Sequence, residues 1–386
     1  MRQKSKVVIV GAGVPGLILS LMLAEQGISV TLIEKFALPD PSDIKPSGRT
    51  AAFMQGSIKL LQKVKIFDDV TSFATPLKCL SIIDDSRYPK GQEQMVRQDF
   101  HANEIGLDQF GYNIPLGILT AQLAQKAKSH PQITVRENTE FEYDKTVSAA
   151  DLVIGADGRH SAVRKYAGID VRIKNYDQTA ITCLISHSQD HNFTSVEFHR
   201  NGGPCTFVPC GNKQSTVVWV EKSDNAQKFT ALSKAEFIHA LQQHSRNILG
   251  RIDLIAGPET MSIISMKPQC LIAPKTVLIA EAAHVLSPIG AQGLNLSLRD
   301  VDVLSSMIAE AMETGTDIGS KSFLDAYKKK RMTDIGKRQI GVDLLNDAVQ
   351  SRHPVVTGLR RLGLKSLGLG GPVRHFLMQE GLSPKS

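Results

Sequence analysis

Residues 7–34 read VVIVGAGVPGLILSLMLAEQGISVTLIE, and this stretch decides the fold. Residues 7–10 are a short β-branched run of the kind buried on both faces of a parallel sheet. They lead directly into Gly11-Ala12-Gly13-Val14-Pro15-Gly16, which fits G-x-G-x-x-G. Residues 17–26 then read as a helix that ends at Gly27, and residues 28–33 as a second strand closed by Glu34. Each part has a physical reason. Gly11 allows a tight turn, Gly13 lets a pyrophosphate approach the backbone, and Gly16 lets the helix pack on the strand. The N–H groups at the helix start attract phosphate. Glu34 is placed to accept hydrogen bonds from a ribose 2′-OH. Strand, glycines, helix, strand and acid in register predict a dinucleotide-binding unit, which both NAD and FAD satisfy.

Two later segments bear on that choice. Residues 151–157 read DLVIGAD, a buried strand running into Gly158-Arg159-His160-Ser161-Ala162-Val163-Arg164. Residues 276–280 form another buried strand, followed by Glu281-Ala282-Ala283-His284 and then Pro288-Ile289-Gly290-Ala291-Gln292-Gly293-Leu294-Asn295. A helix over 294–311 is expected to begin there. Its first N–H groups would stabilise negative charge developing on a reduced cofactor.

The rest of the chain narrows the class. Its 386 residues suit one very large domain or roughly two to three ordinary ones. Hydrophobic residues at 42% and charged residues at 22% exclude a disordered or fibrous protein. The formal charge is +7, and it is unevenly placed. Residues 327–386 hold 12 Lys/Arg and 4 Asp/Glu, a net of +8, so the preceding 326 residues sum to −1. A basic tail could meet an anionic surface, but it contains no recognised nucleic-acid module and no interleaved aromatics, so nucleic acid is not expected. Five cysteines, widely spread and without a C-x-x-C pair, argue against a disulfide framework or structural zinc. They read as ordinary thiols in a reducing cytoplasm. The histidines form no H-E-x-x-H spacing, so no metal site is expected. Residues 1–6 are basic and 7–24 almost wholly apolar, the profile of a signal peptide or membrane span. The glycines and Pro15 inside that run favour the nucleotide turn instead.

The segments at 157–164 and 280–295 resemble the Asp-Gly motif and the second FAD motif (usually G-D-A-A-H, then P-x-x-G-Q-G-x-N) of the flavoprotein aromatic hydroxylases. The segment Ser47-Gly48-Arg49-Thr50-Ala51-Ala52-Phe53, with 57–61, Phe110-Gly111-Tyr112-Asn113-Ile114 and 358–364, is similar to the ubiquinone-biosynthesis hydroxylases among them. The resemblance implies an α/β protein with a Rossmann-like FAD-binding domain of glutathione-reductase type, an inserted antiparallel-sheet substrate domain, and C-terminal helices. The expected divisions are 1–76, 101–170 and 268–325 for FAD, 77–100 and 171–267 for substrate, and 326–386 for the tail. β-rich stretches at 180–186, 194–199, 205–209 and 215–220 supply the inserted sheet.

The resemblance further implies FAD as cofactor, NADPH or NADH as electron donor, and O₂ and a lipophilic phenol as substrates. Cofactor binding would rest on Gly11, Gly13, Gly16, Glu34, Arg49, Asp157, Glu281, Gly293, Leu294 and Asn295. His284 is a weak catalytic candidate, since relatives use it structurally. Ala280-Glu281 departs from the usual Gly-Asp, whose aspartate holds the ribityl chain, and this puts tight flavin retention in question. The implied activity is ring hydroxylation of a polyprenylated phenol in the cytoplasm, with peripheral inner-membrane or biosynthetic-complex contact through the tail. The same chemistry on another apolar substrate, and a non-catalytic lipid-binding scaffold, remain open alternatives.

Overall fold

The computed structural model describes residues 5–85, 95–200, 202–351, 353–368 and 370–382. Residues 1–4 of the basic start and 86–94 of the expected span 77–100 lie outside them. The run 7–10 sits in strand Lys6–Val10, paired in parallel with Ser29–Ile33 on one side and Leu152–Gly155 on the other. Ile133–Arg136 and Thr276–Leu278 extend the parallel sheet outward, and antiparallel Ile272–Ala273 forms its edge as the sixth strand. Parallel strands buried on both faces need apolar cover. Helix Val14–Glu25 supplies part of it, packing against Leu116–Ser129 and Gln292–Thr314. Ile9, Leu17, Ile154, Leu278, Leu298 and Leu304 belong to the core so formed.

A second sheet has seven strands in the order Ile252–Pro268, Val171–His187, Gln214–Lys222, Cys205–Pro209, Thr194–His199, Cys79–Asp84 and Val96–His101. Its pairings are antiparallel except that of Thr194–His199 with Cys79–Asp84. Strand alternation gives it two different faces. Val196, Phe198, Phe207, Val217 and Trp219 form a core with Phe237 and Leu241 of helix Lys234–His244. The residues between them, Ser195, Glu197, Thr206, Val208, Val218 and Val220, line a cavity. A small sheet of Thr50–Met54, Gly111–Pro115 and Thr75–Leu77 joins the two units. It touches helix Gln292–Thr314 through its first strand and Cys205–Pro209 through its last.

Helix Lys321–Gln350 leads to two shorter helices, Pro354–Gly368 and Pro372–Leu382. Leu364 and Met378 pack inward on Met54, Phe100 and Phe110. Val355, Leu359 and Leu362 face outward, each more than 60% exposed, as do Val373, Phe376 and Leu377. These outward apolar faces do not close the domain. The tail's charge is also redistributed. Arg331, Arg338, Arg360, Arg361 and Arg374 all pair with acids, among them Asp300, Asp334, Asp84 and Glu104. Much of the tail's basicity thus clamps it to the body, and Lys329, Lys330, Lys337 and Lys365 remain as exposed cations.

All five cysteines are free, four of them buried. Burial pushes the Cys205 thiol up to about 12, which makes it inert. Among the described residues no group of three or more His, Cys, Asp or Glu could hold a metal ion. No described helix is long and apolar enough to cross a membrane.

Candidate active site

The glycine loop divides by what demands each glycine. Gly11 has φ +102°, and a Cβ there would lie 2.4 Å from the Ala156 carbonyl oxygen. A Cβ on Gly16 would lie 2.0 Å from the Gly11 carbonyl oxygen. Packing alone requires both. Gly13 is different: it is exposed, and a Cβ would approach only Pro15, at 3.9 Å. Gly13 is also the cap of helix Val14–Glu25, which has no side-chain cap and no acid in its first turn. Its open N–H groups form an anion cradle. Glu34 lies beside it, with one carboxylate oxygen accepting from the Ala12 N–H at 2.7 Å and the other from Phe36 N–H at 3.2 Å.

The second loop repeats this arrangement. Helix Gln292–Thr314 starts after Ala291 with no side-chain cap and no acidic first turn. Gly293 has no neighbouring atom within 4 Å of a would-be Cβ. Asn295 holds the helix start in place: its amide donates to Ala52 O and Ala291 O at 2.8 Å each. Its oxygen accepts from Met54 N–H at 2.9 Å and the Ser57 hydroxyl at 2.6 Å. Its side chain is a brace, so only its backbone faces the first turn. Ala291, with φ +54°, occupies the left-handed region. Set against P-x-x-G-Q-G-x-N, it stands at the first motif glycine, a departure that alignment of the two patterns would have revealed. Ala280 also has φ +54° and stands at the glycine of G-D-A-A-H. Both alanines hold the conformation that glycine adopts without penalty.

The Asp-Gly loop folds on itself. Asp157 accepts from the Ser161 hydroxyl and from the N–H groups of Ala162 at 2.6 Å and Val163 at 3.2 Å. Buried Arg164 bridges the motifs, donating to Ala282 O at 2.9 Å and Arg159 O at 2.8 Å. Arg159 in turn pairs with Glu281 at 3.3 Å. The longer Glu281 carboxylate is thus drawn onto a neighbouring cation.

Beneath these loops lies a buried charge cluster. Asp300 accepts from His284 Nε2 at 2.7 Å, Arg331 Nε at 2.7 Å and the Ala280 N–H at 2.8 Å. Burial pushes the Asp300 carboxyl up, but the His284 and Arg331 side chains and these hydrogen bonds outweigh it, and it ends below the ordinary range. His284 is 2% exposed and turned to Asp300, so it holds the left-handed Ala280 turn. Asp300 and Arg331 carried no motif in the sequence. Their one signal is a pair of charges on otherwise apolar helix faces.

The loops enclose a cavity of about 310 Å³. Gly293, Leu294, Arg159 and Glu281 line one side, Ala52 and Met54 another, and the inward face of the seven-stranded sheet the third. Arg49 lies elsewhere: it is exposed and lines a second cavity of about 660 Å³ with Lys45, Phe73 and Phe193. Its neighbour Thr50 faces the first cavity. The donor set fits FAD, because two capless helix starts and two open glycines, Gly13 and Gly293, provide for a pyrophosphate and a flavin edge.

The comparisons agree. Residues 4–338 match the family described as FAD binding domain. The chain is 27% identical to the 3-demethoxyubiquinol 3-hydroxylase of Escherichia coli over 98% of this chain and 99% of that protein. It is 28% identical to ubiquinone hydroxylase UbiL of Rhodospirillum rubrum, over 97% and 89%. It is 23% identical to the mitochondrial ubiquinone biosynthesis monooxygenase COQ6 of Caenorhabditis elegans, over 96% and 94%. Among solved structures, p-nitrophenol 4-monooxygenase PnpA of Pseudomonas putida superposes with a TM-score of 0.73 at 17% identity, covering both chains fully. At that identity the match speaks to the fold.

Proposed function

The chain belongs to the FAD binding domain family, and from that premise we propose that it hydroxylates the aromatic ring of a polyprenylated phenol in ubiquinone biosynthesis. The observation that carries the reading is the largely apolar cavity set directly against the capless start of helix Gln292–Thr314. Full-length similarity to ubiquinone hydroxylases supports the substrate class. Bound FAD, reduced by NADPH or NADH, supplies the activation of O₂ that no side chain can provide.

The protein's part is holding and shielding. Gly11 and Gly16 shape the loop, and the open backbone at Gly13 takes the pyrophosphate. Glu34 holds the adenosine ribose once a 2′-OH competes for its carboxylate. Asp157 sets the loop that presents Arg159. The N–H groups of Gly293 and Leu294 stabilise negative charge at the flavin edge. The described residues of 1–76, 101–170 and 268–325 form the FAD unit, and those of 77–100 and 171–267 form the cover that excludes water from the ring. Arg49, on the wall of the second cavity beside Thr50, serves the cofactor or its reductant through its guanidinium.

The outward apolar residues of Pro354–Gly368 and Pro372–Leu382, beside exposed lysines, suit contact with an anionic bilayer from the cytoplasmic side. Protein with Leu359→Ser and Phe376→Ser is expected to cosediment several-fold less with phosphatidylglycerol vesicles than wild type; equal binding counts against bilayer contact. For the activity itself, a deletion strain should lose ubiquinone and accumulate a prenylated phenol short of one hydroxyl group. Normal ubiquinone in that strain contradicts the reading.

A further inference from the structure

Among the described residues, four ionisable side chains line the smaller cavity: Cys79, Arg159, Glu197 and Glu281. Arg159 and Glu281 satisfy each other. Burial raises the Cys79 thiol, which keeps it neutral. Glu197 has no part in holding the cofactor in the reading above, and its surroundings differ. In strand Thr194–His199, alternation sends Val196 and Phe198 into the core and places Ser195, Glu197 and His199 on the opposite face. The Glu197 carboxylate meets His199 Nε2 at 2.7 Å, and Thr206 Oγ1 lies 3.5 Å from its second oxygen. His199 is 5% exposed. On the adjoining strand its register partner is Asp84, which is itself held by Arg360 and Arg361 of helix Pro354–Gly368. A carboxylate backed by a buried imidazole, on the wall of an apolar cavity, is a proton acceptor with an orienting partner.

We propose that Glu197 is a catalytic base for the hydroxylation, taking the proton of the substrate's phenolic hydroxyl, and that His199 positions it. This rests on the hydroxylase reading above. A ring π pair forms the bond from carbon to one oxygen of O₂, delivered as a hydroxyl. The O–O bond breaks with its electron pair leaving on the second oxygen, which ends as water, the two reducing equivalents coming from NADPH or NADH. The phenolic O–H breaks. Its electron pair becomes the second bond of a ring carbonyl, and its proton goes to Glu197. The hydroxylated carbon then loses its hydrogen as a proton to solvent. Glu197 returns its proton to the carbonyl oxygen, and the ring is aromatic again with one added hydroxyl group. No electrons are exchanged with the protein. Charge development on the phenol oxygen makes its proton most acidic when the ring is attacked, which is when a positioned base acts.

The charged groups around the pair are Asp84, Arg360 and Arg361 on the neighbouring strand and tail helix, and Arg159 with Glu281 across the cavity. Glu197→Gln keeps shape and removes basicity. With FAD-loaded protein, 2-farnesylphenol and NADPH or NADH, product formation should fall about a hundredfold in Glu197→Gln. FAD content should stay near wild type. Wild-type product formation should decline toward acid pH, and Glu197→Gln should lose that limb. Glu197→Asp should recover part of the rate, and His199→Gln should shift the limb without abolishing turnover. Unchanged product formation in Glu197→Gln, or an unchanged acid limb, overturns the assignment while leaving the hydroxylase reading intact. A wild-type protein that hydroxylates no prenylated phenol overturns both.

Discussion

Ala280 and Ala291 hold left-handed backbone at the two places where the cofactor loops turn. A Cβ there costs about 1–2 kcal/mol, and the extra freedom that glycine gives the unfolded chain offsets part of any gain. Ala280→Gly and Ala291→Gly should each stabilise the protein by about 0.5–1 kcal/mol, read from denaturant midpoints; destabilisation would mean that neither turn is strained. Glu281→Asp withdraws the carboxylate from Arg159. That half-exposed pair is worth at most about 1 kcal/mol, so unfolding should barely move. Fluorescence titration of apoprotein should show tighter FAD binding, and an unchanged affinity removes Glu281 from the cofactor site. Asp300 is the opposite case. Asp300→Asn leaves Arg331 without its buried partner and should cost about 3–5 kcal/mol. Because the folded Asp300 pKa lies below the ordinary value of 3.8, its stabilisation is complete above that value. It is lost as pH falls through the lower, folded one. Unfolding free energy in wild type should therefore drop below about pH 4, and Asp300→Asn should flatten that drop. At this scale the glycines and Glu34 were legible because backbone geometry and hydrogen-bond reach fix their spacing. Asp300 and Arg331 were not, because a buried ion pair joins residues 31 apart with no local signature.

The elements were more legible than their partners. The stretches 194–199 and 205–209 coincide with strands, and 180–186 and 215–220 lie inside longer ones. Alternation marked them, and it also sorted their side chains between core and cavity. The helix expected over 294–311 runs Gln292–Thr314. In the tail, an apolar stripe at helical spacing does not say which way it faces. Arginine clamps decide that. Arg374 holds Glu104 at 2.6 Å and also donates to Leu367 O and Asp99 O, fixing Met378 over Phe100 and Phe110. Truncation after residue 350 should uncover this patch, raise binding of an apolar dye several-fold and abolish vesicle binding. Retained vesicle binding would place the bilayer contact elsewhere.

Across the whole molecule, two motifs far apart in sequence, at 157–164 and 280–295, meet on one cavity, roofed by a sheet whose other face is a separate core. That convergence separates a flavin site from a plain dinucleotide fold, and the first glycine loop alone could not show it. The open glycines, Gly13 and Gly293, mark two capless helix starts. Oxygen transfer to a prenylated phenol by FAD-loaded protein is tested most directly by isotope labelling. With 2-farnesylphenol, reductant and isotopically labelled O₂, mass spectrometry should find a product carrying one added, labelled oxygen atom. Reductant oxidation with no such product, or oxygen drawn from water, would contradict the account.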